Sequence, residues 1–323
     1  MSHALTGTLG DVGEFKLIAA LTATFEQSDQ VLLGPGDDAA VLRTPGEQVV
    51  ASLDMLVQNR HFRLDWSSAT DIGHKAAAEN LSDINAMGGR TTALLVGLGA
   101  PADLDVTWAL DFAHGLAEEA AKVEASIIGG DVTSAEAITI SITALGRCDH
   151  GVVRRSGAKP GDLVALAGRQ GWADAGFAVL ARGFRSPRAI VDAHRQPQPP
   201  YHAGPQAAEL GATAMIDVSD GFLQDLGHIA AASGVAVDLE KARFEVPEPL
   251  QAVGAALGVD PLRFVLTGGD DYGLIATFAD GTALPDGWRV VGRVLEPADG
   301  VQPGTVTVDG AAYEDSGGHQ HFR

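Results

Sequence analysis

Three times this chain sets aspartate directly behind glycine: "GPGDDA" at 34–39, "GGDV" at 129–132 and "GGDDYG" at 268–273. Adjacent carboxylates repel one another and glycine weakens a strand, so none of these stretches suits the inside of a packed element. Each belongs at an element end, either as a solvated turn or as a place where a cation is held. Between them, strands and helices alternate. A buried strand over 48–56 ("QVVASLDML") precedes a helix over 67–89, capped by Ser68 or Thr70 and stopped by Gly88 and Gly89. A strand over 91–99, a helix around 104–124 and strands over 125–131 and 137–148 complete the first half. The turn-rich "RRSGAKPGD" (154–162) follows, and the pattern restarts with a strand over 163–168. A domain boundary is therefore expected near 148–155, with an N-terminal α/β domain over 1–150 and a C-terminal one over 151–323. The second half holds a proline-rich surface loop over 195–205, a strand over 213–220 and a helix over 221–234. Two strands within 263–278 flank the GGDDYG turn. The expected fold class is α/β (α+β), built as two mixed α/β domains.

Composition narrows the setting. Of the 323 residues, 46% are hydrophobic and 20% charged, the balance of a soluble globular protein. No apolar run reaches the ~18 residues of a membrane span, and "MSHALTGTLGDVGEF" lacks the regions of a signal peptide. The single cysteine, Cys148, forms no internal disulfide and agrees with a reducing compartment, so a cytoplasmic location is expected. The net charge of −20 argues against nucleic-acid and membrane partners, and would repel a phosphorylated substrate unless metal ions intervene.

One motif is a decoy. GPGDDA fits the G-x-G-x-x-A dinucleotide pattern, but strand-like "AVLRTP" follows it instead of a helix N-terminus, and Asp37 and Asp38 would repel a phosphate. No Gly-Lys pair exists for a phosphate loop, and zinc-ligand or nucleophile-elbow patterns are absent.

What remains is a set of aspartates at element ends: Asp38, Asp54, Asp83, Asp131, Asp217, Asp220, Asp270 and Asp271. Asp54 interrupts an apolar strand, where an unpaired carboxylate needs a cation or a donor. Asp83 shares a helix face with Asn80, which is either solvated or part of a site. "MIDVSDG" puts Asp217, Ser219 and Asp220 at a strand end entering a helix. An N-cap explains one of the three, whereas hard oxygen ligands for Mg²⁺ explain all of them. Arg154, Arg155 and Lys159 supply the basic counterpart for phosphate, or else a solvated turn.

The ordered blocks "GPGDDAAVL", "SLDMLVQNRHF", "NLSDINAMGG", "IIGGDVT", "RRSGAKPGD", "IDVSDGFLQDLGHI" and "TGGDDYGL" make the chain resemble the thiamine-monophosphate kinases, from about residue 13 to 322. These belong to a superfamily with aminoimidazole ribonucleotide synthetase, selenophosphate synthetase and a hydrogenase-maturation protein. The resemblance implies Mg²⁺-dependent transfer of the ATP γ-phosphoryl to thiamine monophosphate, giving thiamine diphosphate and ADP. It also implies a homodimer whose N-terminal sheets pair into a barrel-like interface. By the same resemblance, Asp38, Ser52, Leu53 (through its backbone), Asp54, Asp83, Asp131, Asp217 and Asp220 are metal ligands. His114, Gly130, Asp131, Arg155 and Ser219 line the nucleotide site, and His61, Asp270 and His319 the substrate site. No nucleophilic residue is implied, since phosphoryl transfer needs positioning and charge neutralisation. The chain departs from the family pattern at Leu53, at Asp270 (where a glutamate is usual) and at His319 (where an aromatic residue is common). The competing readings are another ATP-dependent member of the superfamily and a non-catalytic nucleotide-binding protein.

Overall fold

In the computed structural model, residues 31–33, 36–44, 47–298 and 302–314 are described, and they form two six-stranded sheets joined around one central helix. His319 and the rest of "GGHQHF" lie outside the described residues. The first sheet runs in the order β1-β2-β3-β6-β4-β5: β1 Val31–Leu33, β2 Ala40–Thr44, β3 Glu47–Val57, β4 Arg90–Ala100, β5 Ser126–Ser134 and β6 Thr139–Arg147. Neighbours are antiparallel except β4 and β5. Strict alternation sorts its faces. Leu56, Leu94, Ile140, Ile142 and Ala144 point inward and are buried, whereas Leu53 and Met55 on β3 point outward and are about half exposed.

The inward face is covered by α1 (Ala69–Ala86) and α2 (Val106–Ala121). Ser68 caps α1: its hydroxyl accepts from the Asp71 N–H while Asp71 accepts from the Ser68 N–H, a reciprocal capping box. This helix is buried nearly all round, because it packs on the first sheet, on α2 and on the second sheet at once. His74, Lys75, Asn80, Ser82 and Asn85 are therefore buried polar residues that need partners. A solvated face for Asn80 and Asp83 is thus corrected: Asn80 is fully buried, and Asp83 accepts a hydrogen bond from the Ser52 hydroxyl.

The second sheet has the order β12-β9-β11-β7-β10-β8: β7 Leu163–Ala167, β8 Ala214–Asp217, β9 Ala236–Leu239, β10 Leu274–Phe278, β11 Trp288–Leu295 and β12 Val306–Val308. Only β9 and β12 pair in parallel. One face packs under α3 (Trp172–Ala181), α4 (Arg188–Arg195), α6 (Phe222–Ser233), α7 (Glu248–Leu257) and α8 (Pro261–Thr267). The other meets α5 (Ala203–Glu209) and the end of α1 at Ala86.

Two sequence expectations give way. "PLRFVLT" is helix α8 and not a strand, because Asp260 caps it by accepting from the Leu262 N–H and Pro261 stands at its first position. Local capping overrides the β-propensity of Phe264 and Val265. The proline-rich stretch 195–205 is no surface loop: Pro197 and Pro199 are buried, and the Tyr201 hydroxyl donates to Glu119 on α2 at 2.7 Å.

Candidate active site in the cleft between the sheets

Four elements deliver carboxylates to one cleft. The turn before β2 supplies Asp38, β3 supplies Asp54, α1 supplies Asp83, and the end of β8 supplies Asp217. One carboxylate oxygen each of Asp38, Asp83 and Asp217 lies within 4.8 Å of the other two, the sole such cluster among the described residues. Asp54 stands beside them, its backbone N–H donating to Asn80 Oδ1 at 3.1 Å. Asp54 and Asp83 come from different elements, and Ser52 ties them by bonding Asp83 from two residues up β3.

The electrostatics are those of a site short of positive charge. Burial, then the charge of Asp38, pushes the Asp217 carboxyl up to about 8. Burial and neighbouring Asp54 raise Asp83 well above the usual carboxylate range, and do the same to Glu79 one turn earlier on α1. Among the described residues, Arg155 is the one side-chain cation that reaches Asp38: its Nη2 lies 2.6 Å from Oδ1 and its Nε 3.1 Å from Oδ2. Burial works against the guanidinium charge, but Asp38 outweighs it and holds Arg155 above its ordinary value. The Arg155 N–H also donates to Asp37 at 3.1 Å, so both residues of the Asp37–Asp38 pair grip one arginine from the segment between the sixth and seventh strands. Three converging hard oxygens, with burial raising the proton affinity of Asp83 and Asp217, are a donor set that fits a divalent cation such as Mg²⁺.

The "VSDG" segment (218–221) does not supply the side-chain cap that one sequence reading expected. Neither Ser219 nor Asp220 caps α6; its N-cap is Gly221, which has no side chain to do so. Asp225, one turn into the helix, instead accepts from the N–H groups of Ser219, Asp220 and Gly221 at 3.0–3.1 Å. This leaves the exposed Ser219 and half-buried Asp220 at the cleft, with Asp220 accepting from Gln224. A carboxylate four residues after Asp-Gly was the available signal for Asp225.

The GGDDYG turn divides its two carboxylates. Gly269 must be glycine, since a Cβ there would come within 1.9 Å of the Ser219 carbonyl. Asp270 adopts a left-handed φ of 64°, and its carboxylate reaches across to Lys75 Nζ on α1 at 2.6 Å. Asp271 turns the other way, is buried, and accepts from the Ala173 N–H at the start of α3. One aspartate faces the cleft; the other serves a helix terminus. Lys75, Glu79 and Asp83 lie four residues apart on one stripe of α1, a spacing that is present in the sequence but marks a site only once the helix is known to be buried.

The remaining expected residues are dispersed. His61 closes the turn after β3, its Nδ1 accepting from the Val57 N–H at 2.9 Å. His114 is exposed on α2 and lies 3.1 Å from Glu118. Gly130 and Asp131 are on the edge strand β5, exposed, and a Cβ at Gly130 would come within 1.9 Å of the Val96 carbonyl. In register, Asp131 pairs with Gly97, Gly97 with Ser141 and Ser141 with Met55. Asp131 thus belongs to the outward-facing row with Met55, three strand spacings (~14 Å) from β3 and on the opposite face to Asp54.

Residues 36–148 match the family model described as AIR synthase related protein, N-terminal domain. A thiamine-monophosphate kinase of Mycobacterium tuberculosis is 46% identical over 317 residues, covering 98% of this chain and 93% of the relative. Among solved structures, AaThiL complexed with AMPPCP and TMP superposes with a TM-score of 0.89 at 29% identity, covering 99% of this chain and 100% of that one. The thiamine monophosphate kinase of Aquifex aeolicus gives a TM-score of 0.84 at 28% identity, covering 96% of this chain and 100% of the other.

Proposed function

Because the chain belongs to the thiamine-monophosphate kinase family, we propose that it transfers the γ-phosphoryl group of ATP to thiamine monophosphate, giving thiamine diphosphate and ADP. The observation that carries this is the convergence of Asp38, Asp83 and Asp217 on one point beside Arg155, in a fold that matches a relative complexed with an ATP analogue and TMP.

The chemistry asks little covalent work of the protein. A phosphate oxygen of thiamine monophosphate attacks the γ-phosphorus in line. The bond from that phosphorus to the β,γ-bridging oxygen breaks, and its electron pair leaves on ADP. A phosphate dianion is already the nucleophile, so no proton has to be removed and no residue need act as a base. What the site must do is hold two polyanions together. Asp38, Asp54, Asp83 and Asp217, with Ser52, the Leu53 backbone and Asp220, would hold Mg²⁺, which supplies neutralisation of phosphate charge when bound. Arg155 is suited to grip nucleotide phosphate by its planar fork once it exchanges Asp38 for the ligand. Ser219 and Gly130 leave backbone and small side chains where phosphate approaches. His61, Asp270 and His319 are assigned to the thiamine end.

The two sheets are read as two domains, 1–150 carrying the metal and ATP site and the dimer interface, 151–323 completing the cleft. The outward face of the first sheet supports a homodimer closed into a barrel-like interface: Leu53, Met55, Leu95, Ile128 and Val132 are exposed apolar residues on it or on its edge strand. No helix among the described residues is long and apolar enough to cross a membrane, and a cytoplasmic enzyme fits that reading. ADP release measured with ATP, Mg²⁺ and a panel of phosphorylated vitamins and purine intermediates tests the proposal. Turnover with thiamine monophosphate is the expected result; turnover with a purine intermediate alone, or none with any substrate, would overturn it.

A further inference from the structure

Lys75 is a lysine with 5% of its surface exposed, set on a helix that is buried nearly all round. Burying an ammonium is costly unless it is paired, and its partner is Asp270, with Nζ to Oδ2 at 2.6 Å. The pair spans the cleft: Lys75 belongs to α1, which packs on the first sheet, and Asp270 to the turn that leads into the second. The Asp270 side chain is 43% exposed, so the contact does not bury both charges and adds little to stability. Its effect is directional. Asp270 sits in a left-handed backbone conformation, its N–H donating to the Ser219 carbonyl at 3.0 Å, so the turn is fixed and only the carboxylate can swing. The charges around it would drive it outward. Glu79 feels Asp54, Asp270 and Asp217 as repelling neighbours and Lys75 as an attracting one. The Lys75 ammonium is the positive charge that α1 brings against the Asp270 carboxylate.

Building on the kinase reading, we propose that Lys75 is a positioning residue for the acceptor substrate: it holds the Asp270 carboxylate at the thiamine end, in the geometry that binds thiamine monophosphate. Lys75 is the acceptor-end counterpart of Arg155. Each is a cation in a carboxylate grip across the cleft, Arg155 by Asp38 at the metal cluster and Lys75 by Asp270 at the far end of the α1 stripe. Glu79 and Asp83 occupy the two turns of α1 between them. The shorter reach of aspartate is matched by a partner that comes to meet it.

The test is a double-mutant cycle on the full chain with Lys75→Met, Asp270→Asn and the double variant, read as KM for each substrate and as affinity for thiamine monophosphate by calorimetry. Losing a charge-assisted hydrogen bond of this kind predicts roughly a 10- to 100-fold rise in KM for thiamine monophosphate in either single variant. The double variant should be no worse than the poorer single one, with KM for ATP within about threefold throughout. Lys75→Arg should keep the charge and remain close to wild type. Multiplying effects in the double variant, or a change confined to ATP, would overturn the proposal. If Lys75→Met fails to fold, Lys75→Arg decides: wild-type KM alongside a raised KM in Asp270→Asn supports it. A raised KM that multiplies with Asp270→Asn refutes it. Should the wild-type chain bind thiamine monophosphate without phosphorylating it, the kinase reading fails, while the calorimetric cycle still judges Lys75.

Discussion

At the scale of single residues, the site was legible where carboxylates break local rules. Asp38, Asp54 and Asp217 each put a carboxylate into a tight turn or an apolar strand, and Asp38 and Asp217 meet Asp83 in the cleft. Lys75 and Glu79 were not legible in the same way, because a charged residue on a helix reads as solvated until one knows the helix is buried on every side. The same buried charge yields a prediction. Burial that pushes the Asp217 carboxyl up to about 8 disfavours its charged form, so the neutral amide of Asp217→Asn should cost the metal-free protein little stability and can raise it. In the presence of Mg²⁺ the order reverses. Wild type should gain melting temperature with added Mg²⁺, as any ligand bound by the folded state alone requires, and Asp217→Asn should not. Its turnover, and that of Asp54→Asn, should fall by at least roughly 100-fold with the fold intact. A variant that keeps both its Mg²⁺-dependent stabilisation and its turnover removes that residue from the metal site.

At the scale of elements, strands and long helices followed from periodicity, while the errors came from what packs on them. The helix α8 was hidden behind "RFVL", whose residues favour strands, although Asp260-Pro261 before it is a start signal. The burial of α1 on both sides was hidden because its sequence is alanine-rich and only weakly amphipathic in pattern, so no stripe marked a solvent face. That burial creates a polar cluster joining α1, α2 and the segment before α5. His74 Nδ1 lies 2.8 Å from Glu119 and Nε2 3.1 Å from Glu118, while Lys122 and Tyr201 also bond Glu119, and His114 approaches Glu118. The hydrogen bond to Glu119 raises the His74 pKa above 6.5, against burial. Burial opposes the Glu119 charge, but His74, Lys122 and Tyr201 outweigh it and hold the carboxyl below 4.5. The signs then set a window. A raised histidine stabilises fully below 6.5 and loses its contribution as pH climbs through its folded pKa; a lowered glutamate stabilises fully above 4.5 and loses it as pH falls through its own. Melting curves of wild type and His74→Gln should therefore differ most in the mildly acidic range between those values, by about 2–4 °C, and converge as the medium becomes alkaline. A difference that grows toward alkaline pH would show that His74 is buried uncharged.

At the scale of the whole molecule, the cleft gathers Asp38, Asp54, Asp83 and Asp217 from one chain, but Asp131 is on the wrong side of the sheet to join them. Its register row ends at Met55, among the outward residues, and β5 is an edge strand with exposed Ile128 and Val132 beside it. A sheet with an apolar outer face and an open apolar edge is incomplete in water, and the simplest completion is a second copy of the same chain. If the two outer faces close on each other, Asp131 of each chain is carried toward its partner and away from its own cluster. Light scattering at micromolar concentration should give the mass of two chains, and Met55→Lys should give one. The stronger test is complementation. Asp131→Asn and Asp217→Asn dimers are each expected to be nearly inactive. When the two are mixed and allowed to exchange, about half the dimers are mixed, and in each of these one of the two sites has both aspartates intact if Asp131 acts across the interface. Activity should then recover to about a quarter of wild type. If Asp131 serves its own chain, every site in the mixture carries one lesion and no activity returns; if Met55→Lys stays dimeric, the outer face is not the interface and the argument for a shared site falls with it.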